Sequence, residues 1–364
     1  MRSCVRTMPA DVRSRPGVGV QGLFRKVPAI ATTIDAPVTS TADPAGRLAG
    51  IDLMRLVAFV AVVLIHAVAD GAGDAPVAAD VIAILSRFAV PFFFVAFGYF
   101  MPHRAPGRAA LRLLVRLAPP FLFWALVYVL YFQGSLAGLR SPAMIARLLV
   151  TGLDGQHLWF LPALGVAGVL FAVVRSRFGW GAVLALAIVF YALAFAFGPL
   201  RLLLDLPKPP FNTRNGPFFG LMFVTAGAWL RSRDLRLPLR SALALFGVAA
   251  LLQLVEVAAL VALGTIPFPR FTDDTLMTIP YGIAAFLVAL AIPPSFRLAP
   301  LFARLARLSL GLYVVHLLFL DLAARLLGRA TLVACLGDAL LATLASALCV
   351  LLLDLIPPMR RLIR

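Results

Sequence analysis

Charge is scarce in this chain. Only 13% of its 364 residues are Asp, Glu, Lys or Arg, 62% are hydrophobic, and the mean hydropathy is +0.97. A soluble domain is about 25% charged and about 45 to 50% apolar, so this chain cannot cover itself with polar surface, and a water-soluble globular fold is excluded. Cysteine is nearly absent, with three residues: Cys4 in the N-terminal segment, and Cys335 and Cys349 in one apolar run. On a helix that spacing separates the last two by about 21 Å, beyond the reach of a disulfide, and no Cys/His spacing of a metal site occurs. Acidic residues are few as well, 16 against 33 Lys and Arg, a formal net charge of +17. On a soluble chain such a balance points to nucleic acid. Here the basic residues cluster between apolar blocks, where membrane topology accounts for them, and no nucleic-acid partner is expected.

The apolar residues run in solid blocks. Only helix bundles and closed barrels cross a bilayer, because backbone groups must be satisfied internally, and barrel strands would alternate over about 10 residues. The blocks predict an all-α, polytopic integral membrane bundle of about ten helices, at 51–70, 79–101, 113–132, 157–175, 179–198, 216–231, 241–264, 275–294, 307–325 and 331–356. Residues 1–48, rich in Arg, Pro, Thr and Ala, are expected to be a flexible cytosolic tail or an over-long gene model, and 49–364 a single transmembrane domain. Most of the basic residues fall on the side of the N-terminal segment, the C-terminus and the connections Arg104 to Arg116, Arg175 to Arg177, Arg231 to Arg240 and Arg297 to Arg307. The loop DGAGDAPVAAD on the opposite side has three acids and no base. This asymmetry predicts a multi-pass protein of the plasma membrane with both termini cytoplasmic.

Ionisable residues within apolar spans are costly and therefore candidates for function. Arg55 and His66 stand in the first span. Eleven residues at 100° each leave a net rotation of about 20°, so both lie on one helix face, about 16 Å apart in depth. A snorkelling arginine and a core histidine are the plain alternative. Asp70 follows one turn outward on that face, placed either to orient the imidazole or as an interfacial acid. Arg87 enters the second span from outside to roughly the depth of His66, to stabilise an oxyanion, bind an acceptor or snorkel. His157 and Trp159 are expected at the outer interface, and Arg214 with Asn215 at the next outer edge. Gln253 and Glu256 make one polar face, for which helix-to-helix hydrogen bonding is the default. Ser309, Tyr313 and His316, spaced four and three, share a face of the ninth span.

Several segments carry a resemblance. GIDLMRLVAFVAVVLIHA, with Arg55 and His66 separated by ten residues, closely resembles the opening helix of the membrane-bound acyltransferase-3 family. VPFFFVAFGYF (Val90 to Phe100), HLWFLPAL (His157 to Leu164), TRNGPFFG (Thr213 to Gly220) and LSLGLYVVH (Leu308 to His316) resemble further family segments, in family order. Two positions depart from the pattern: Phe97 stands where the family has Ser, and Arg112 and Arg116 are spaced one wider than the usual basic pair.

The resemblance implies transfer of an acyl group, usually acetyl, from cytosolic acyl-CoA to a hydroxyl of a surface polysaccharide or lipid-linked glycan. No cofactor and no metal are implied; acyl-CoA is a co-substrate, and membrane lipids and the glycan acceptor are the other partners. His66 matches the essential histidine and would serve as general base, or alternatively carry the acyl group as an acyl-imidazole. Asp70 and Arg87 complete the expected catalytic set. Arg55, Arg112 and Arg116 are the expected donor phosphate contacts, with Tyr313 and His316 either lining the donor passage or forming a structural network. Trp159, Arg214 and Asn215 would meet the acceptor. The competing class is a polytopic transporter or flippase of glycan or lipid intermediates, which would show internal repeats or broken helix pairs at matching positions; neither is visible in the sequence.

Overall fold

The protein is described here from a computed structural model covering residues 49–69, 71–101, 106–153, 155–209, 212–266, 268–293 and 299–364. The expected tail, 1–48, lies outside these residues, as does Asp70. The described chain is helical, with no strand among the described residues. In order, the helices are α1 (Ala49–Ala69), α2 (Pro76–Leu85), α3 (Ala89–Phe100), α4 (Pro106–Gln133), α5 (Pro142–Thr151), α6 (Phe160–Phe197), α7 (Pro217–Ser232), α8 (Leu239–Ala262), α9 (Thr278–Ala291), α10 (Ala299–Arg307), α11 (Ser309–Leu327), α12 (Leu332–Leu353) and the short α13 (Arg360–Ile363).

Local chemistry sets many of these boundaries. Pro76, Pro142 and Pro217 open α2, α5 and α7, where a missing N–H costs nothing and the fixed φ suits the first turn. Thr331 caps α12 through its hydroxyl, which accepts from the Ala334 N–H at 3.1 Å. A straight α6 of 38 residues would measure about 57 Å, well over the roughly 30 Å of a hydrocarbon core. It breaks at Gly179, whose φ of 86° and ψ of −171° suit only glycine. The two spans expected at 157–175 and 179–198 are therefore two helical segments of α6 that meet at the break at Gly179.

All ten apolar stretches of the sequence are helical. Among the described residues, seven helical segments are long and apolar enough to cross a membrane, and His157–Phe197 is one of them. The stretches expected at 216–231 and 275–294 form helices of 16 and 14 residues, shorter than a full crossing. Outward faces are apolar: Val333, Leu336, Leu340, Leu344, Leu348 and Leu352 make an exposed stripe along α12, a surface suited to lipid rather than water.

α1 is the helix around which the others gather. It packs against α2, α3, α9, α10, α11 and α12. Ile51, Met54, Ala58, Ala61 and Val62 belong to one apolar core shared with α3, α6, α7 and α9, whereas Phe59, Val63 and Ala67 belong to a second core shared with α4, α11 and α12. On the first side, α3 and α7 cross at backbone contact: a Cβ on Gly98 would meet the Val224 carbonyl oxygen at 2.1 Å, and one on Gly227 the Val95 carbonyl oxygen at 2.0 Å. Small residues that let backbones meet are the usual means of packing helices in lipid. This central placement brings the polar face of α1 against residues from the turn before α6, from α11 and from the loop before α9.

Candidate active site

Three of the chain's four histidines meet in the interior. The ring of His66 on α1 lies 5.5 Å from that of His316 on α11 and 6.5 Å from that of His157, which precedes α6; His157 and His316 are 4.8 Å apart, centroid to centroid. His157 and His316 are buried, at 2% and 0% exposure, while His66 keeps partial access. The tyrosine hydroxyls hold the backbone behind them: Tyr313 donates to the His157 carbonyl, and Tyr128 to the Val314 carbonyl at 2.9 Å. Nδ1 of His316 lies 2.6 Å from the Tyr313 carbonyl oxygen. A carbonyl oxygen only accepts, so Nδ1 carries the proton and Nε2 presents its lone pair to the cluster. Among the described residues, that Nε2 meets no hydrogen-bond partner.

Toward the Arg55 end of α1 opens a cavity of 680 Å³, in scale with a cofactor site. Aromatic and aliphatic side chains, among them Phe93, Phe97 and Phe160, form its inner wall, and Tyr313 stands between it and the histidines. Its rim is basic, carrying Arg55, Arg112, Arg116, Arg307 and Arg364. Asp52, one turn before Arg55, pairs with it at 3.3 Å.

Toward the opposite end stands an ion-pair network. Arg87 is buried at 5% exposure and pairs with Asp273, which uses its other carboxylate oxygen to hold Arg214 at 2.7 Å. Arg214 also lies over the ring of Trp159, 5.5 Å from its centroid, a favourable cation–π placement. Both guanidinium charges are near enough to act on His66. Arg87 further donates to the carbonyl of Arg270, whose own side chain binds Asp80 at 2.7 Å and the carbonyls of Val68, Gly71 and Pro76 at 3.0, 3.1 and 3.2 Å. One loop thus staples the exit of α1. Beside this network a second cavity of 510 Å³ is lined by Arg201, Lys208, Thr213, Arg214, Asp273 and Asp274 among others. Thr213 donates to Asp274, and burial raises the Asp274 carboxyl above its ordinary pKa, against the pull of Thr213, Arg214 and Arg87.

The family model for an acyltransferase domain matches residues 48–356. The chain belongs to the acyltransferase-3 family. A serine/alanine racemase of Enterococcus gallinarum is 28% identical over 244 residues, which cover 58% of this chain and 33% of that protein. The chain therefore spans about a third of the length of the curated relative it matches. No solved structure matches it. Its helices and its family make this acyltransferase a polytopic helical membrane protein.

Most residues singled out in the sequence of this acyltransferase converge. Arg55, Arg112, Arg116 and Tyr313 line one cavity. Arg214 and Trp159 touch each other, and Asn215, 9% exposed, closes the turn that presents Arg214, its N–H donating to the Asn212 carbonyl at 3.0 Å. Arg87 lies buried in an ion pair, not snorkelling. His316 abuts His66 and is not among the residues that line the arginine-rimmed cavity. Phe97, standing where the family has a serine, supplies an aromatic wall of that cavity. Asp70 falls outside the described residues.

Other residues of the site carry no catalytic or binding assignment from the sequence. His157, expected at an interface, is a buried member of the histidine cluster. Asp273 and Asp274 sit in a short polar connection, and their signal, two acids beside Arg270 in RFTDDT, is no different from ordinary loop polarity. Gln253 and Glu256 serve the frame: Gln253 donates to Thr275 at 2.8 Å, and the Glu256 carboxylate accepts from the N–H groups of Leu276 and Met277, both at 2.7 Å, at the start of α9. Among the described residues no group of three or more His, Cys, Asp or Glu is arranged to hold a metal ion.

Proposed function

We propose that this acyltransferase moves an acyl group, most simply acetyl, from acyl-CoA at the Arg55 end of α1 to a hydroxyl of a surface polysaccharide or lipid-linked glycan at the Asp273 end, with His66 as general base. The observation that carries this reading is the position of His66, beside a buried histidine pair and between an arginine-rimmed cavity and an ion-pair network of different chemistry. A cavity of 680 Å³ with an apolar inner wall and a cationic rim suits a thioester whose nucleotide end is polyanionic and whose pantetheine arm is thin. That arm must reach about 16 Å along α1 from Arg55 to His66.

A sugar hydroxyl attacks a thioester poorly unless its proton is removed as the new bond forms, and a neutral imidazole is suited to that task. In this scheme His66 takes the proton while the hydroxyl oxygen bonds to the thioester carbon. The carbonyl oxygen becomes an oxyanion, which the positive charges of Arg87 and Arg214 stabilise. As the carbonyl re-forms, the carbon–sulfur bond breaks, and the imidazolium returns the proton to the departing CoA thiolate. Trp159 and Arg214 offer the acceptor a stacking face and hydrogen-bond donors. In this reading the chain sits in the plasma membrane with both termini cytoplasmic, an orientation supported by the weight of basic residues on one side, and the donor cavity faces the cytoplasm.

The test is acyl transfer by the purified protein in liposomes supplied with radiolabelled acetyl-CoA and extracted surface glycans. Label should move to the glycan with wild-type protein and not with His66→Ala. Failure of the wild type to consume any acyl-CoA, with the protein folded and inserted, would overturn the reading.

A further inference from the structure

Past α12 the chain does not leave the bundle. It turns through Pro357–Met359 and the single turn α13, and its last residues return to the mouth of the arginine-rimmed cavity. Five contacts seat them there. Ile363 is fully buried against Gly311, where a Cβ on the glycine would meet the Ile363 Cβ at 2.8 Å. Trp124 of α4 donates its indole N–H to the Leu362 carbonyl at 3.1 Å. Arg116 donates to the main-chain oxygen of Arg364 at 3.2 Å. Asp354 at the end of α12 accepts from Arg360 through its carbonyl at 2.7 Å and pairs through its carboxylate with the Arg364 guanidinium at 2.6 Å.

We propose that Arg360–Arg364 forms a wall of the donor cavity and that Arg364, together with Arg307 across the mouth, binds the phosphates of a nucleotide thioester alongside Arg55, Arg112 and Arg116. The inference rests on the reading of this cavity as the acyl-CoA site. Neither Arg307 nor Arg364 belongs to a segment that carries the family resemblance. Both are exposed at the rim, and Asp354 fixes the direction of the Arg364 fork. The nucleotide end of CoA presents a diphosphate and a ribose phosphate, more negative charge than Arg55 and its partner Asp52 can balance between them. A planar guanidinium is the side chain best suited to bidentate phosphate contacts. Because Arg116 binds the backbone of Arg364, the wall also orients an arginine on the opposite rim.

The experiment compares three donors: acetyl-CoA, acetyl-dephospho-CoA and S-acetylpantetheine, which share a thioester and differ in their phosphates. Arg364→Gln and Arg307→Gln should each raise the KM for acetyl-CoA about tenfold, the size of one lost charge-assisted contact, with kcat and the acceptor KM unchanged. The KM for S-acetylpantetheine should stay within about twofold, and Arg364→Lys should recover part of the acetyl-CoA affinity. Ile363→Gly, which unseats the wall without adding or removing a charge at the rim, should raise the acetyl-CoA KM as well. An acetyl-CoA KM unmoved by Arg364→Gln and Arg307→Gln would overturn the inference, and so would an equal rise for S-acetylpantetheine. In either case wild-type turnover of acetyl-CoA would leave the cavity's assignment standing. If the wild type uses no acyl-CoA and binds no adenosine 3′,5′-bisphosphate, both that assignment and this inference fall.

Discussion

His66 and His316 lie 5.5 Å apart, ring centroid to ring centroid, although they come from opposite ends of the described chain. With the proton of His316 committed to the Tyr313 carbonyl, its Nε2 is left as an acceptor with no hydrogen-bond partner among the described residues. It is placed to orient the imidazole of His66 or to share its proton, the part that the sequence assigns to Asp70.

This position separates two roles for His316. As a partner of His66, its replacement by Gln should lower kcat about tenfold or more and leave the KM for acyl-CoA within about twofold. As a donor-passage residue, the same substitution would raise that KM and spare kcat. Steady-state kinetics with both substrates varied distinguishes them, and the second result would remove His316 from the catalytic group.

His66→Ala should reduce acyl transfer by about 10² to 10⁴, the range of a general base. Insertion and thermal unfolding should be little changed, since one substitution on a partly accessible position of α1 leaves its apolar packing in place. Residual activity above about a tenth of wild type would exclude the general-base role. A stable acyl adduct on His66, found by mass spectrometry, would favour the two-step route.

Asp273 holds Arg87 and Arg214 with separate oxygens. Removing one partner of a buried pair costs about 3 to 5 kcal/mol; because Arg214 keeps a third of its exposure, Asp273→Ala should fall toward the lower end, near 3 kcal/mol. A clear drop in the unfolding midpoint in detergent is expected, together with loss of transfer. A variant as stable as wild type would show that the network is not stabilising.

Asp274 predicts a pH dependence. Burial raises its carboxyl above the ordinary 3.8, so the folded protein holds this proton more tightly than the unfolded chain does. The stability it contributes is fully present below 3.8 and is lost as pH rises through the raised folded value. Asp274→Asn keeps an acceptor for Thr213 and cannot ionise, so its unfolding midpoint should fall less than that of wild type as pH rises above 3.8. Parallel curves would show that Asp274 does not titrate in that window.

Topology is tested by reporter fusions. A reporter after Ala75 should be outside and one after Arg233 inside, because the basic connections lie on the side of Arg233. The reverse pattern would invert the membrane orientation and place the arginine-rimmed cavity on the outside.

The sequence by itself determined what is local or additive. Scarce charge and long apolar runs dictate membrane helices, because hydrophobicity sums along a segment regardless of its neighbours. The helical period alone puts Arg55 and His66 on one face of α1, and the family segments are legible residue by residue. Tertiary structure decided everything that depends on contact between distant segments. His157 looks like an interfacial residue until α6 and α11 close around it, and Asp273 looks like loop polarity until Arg87 and Arg214 reach it. Arg364 borders the donor cavity only because α13 folds back under α11. A side chain's helical period reports which face it occupies; which helix that face meets is set by the packing of the whole bundle, and no local pattern encodes it.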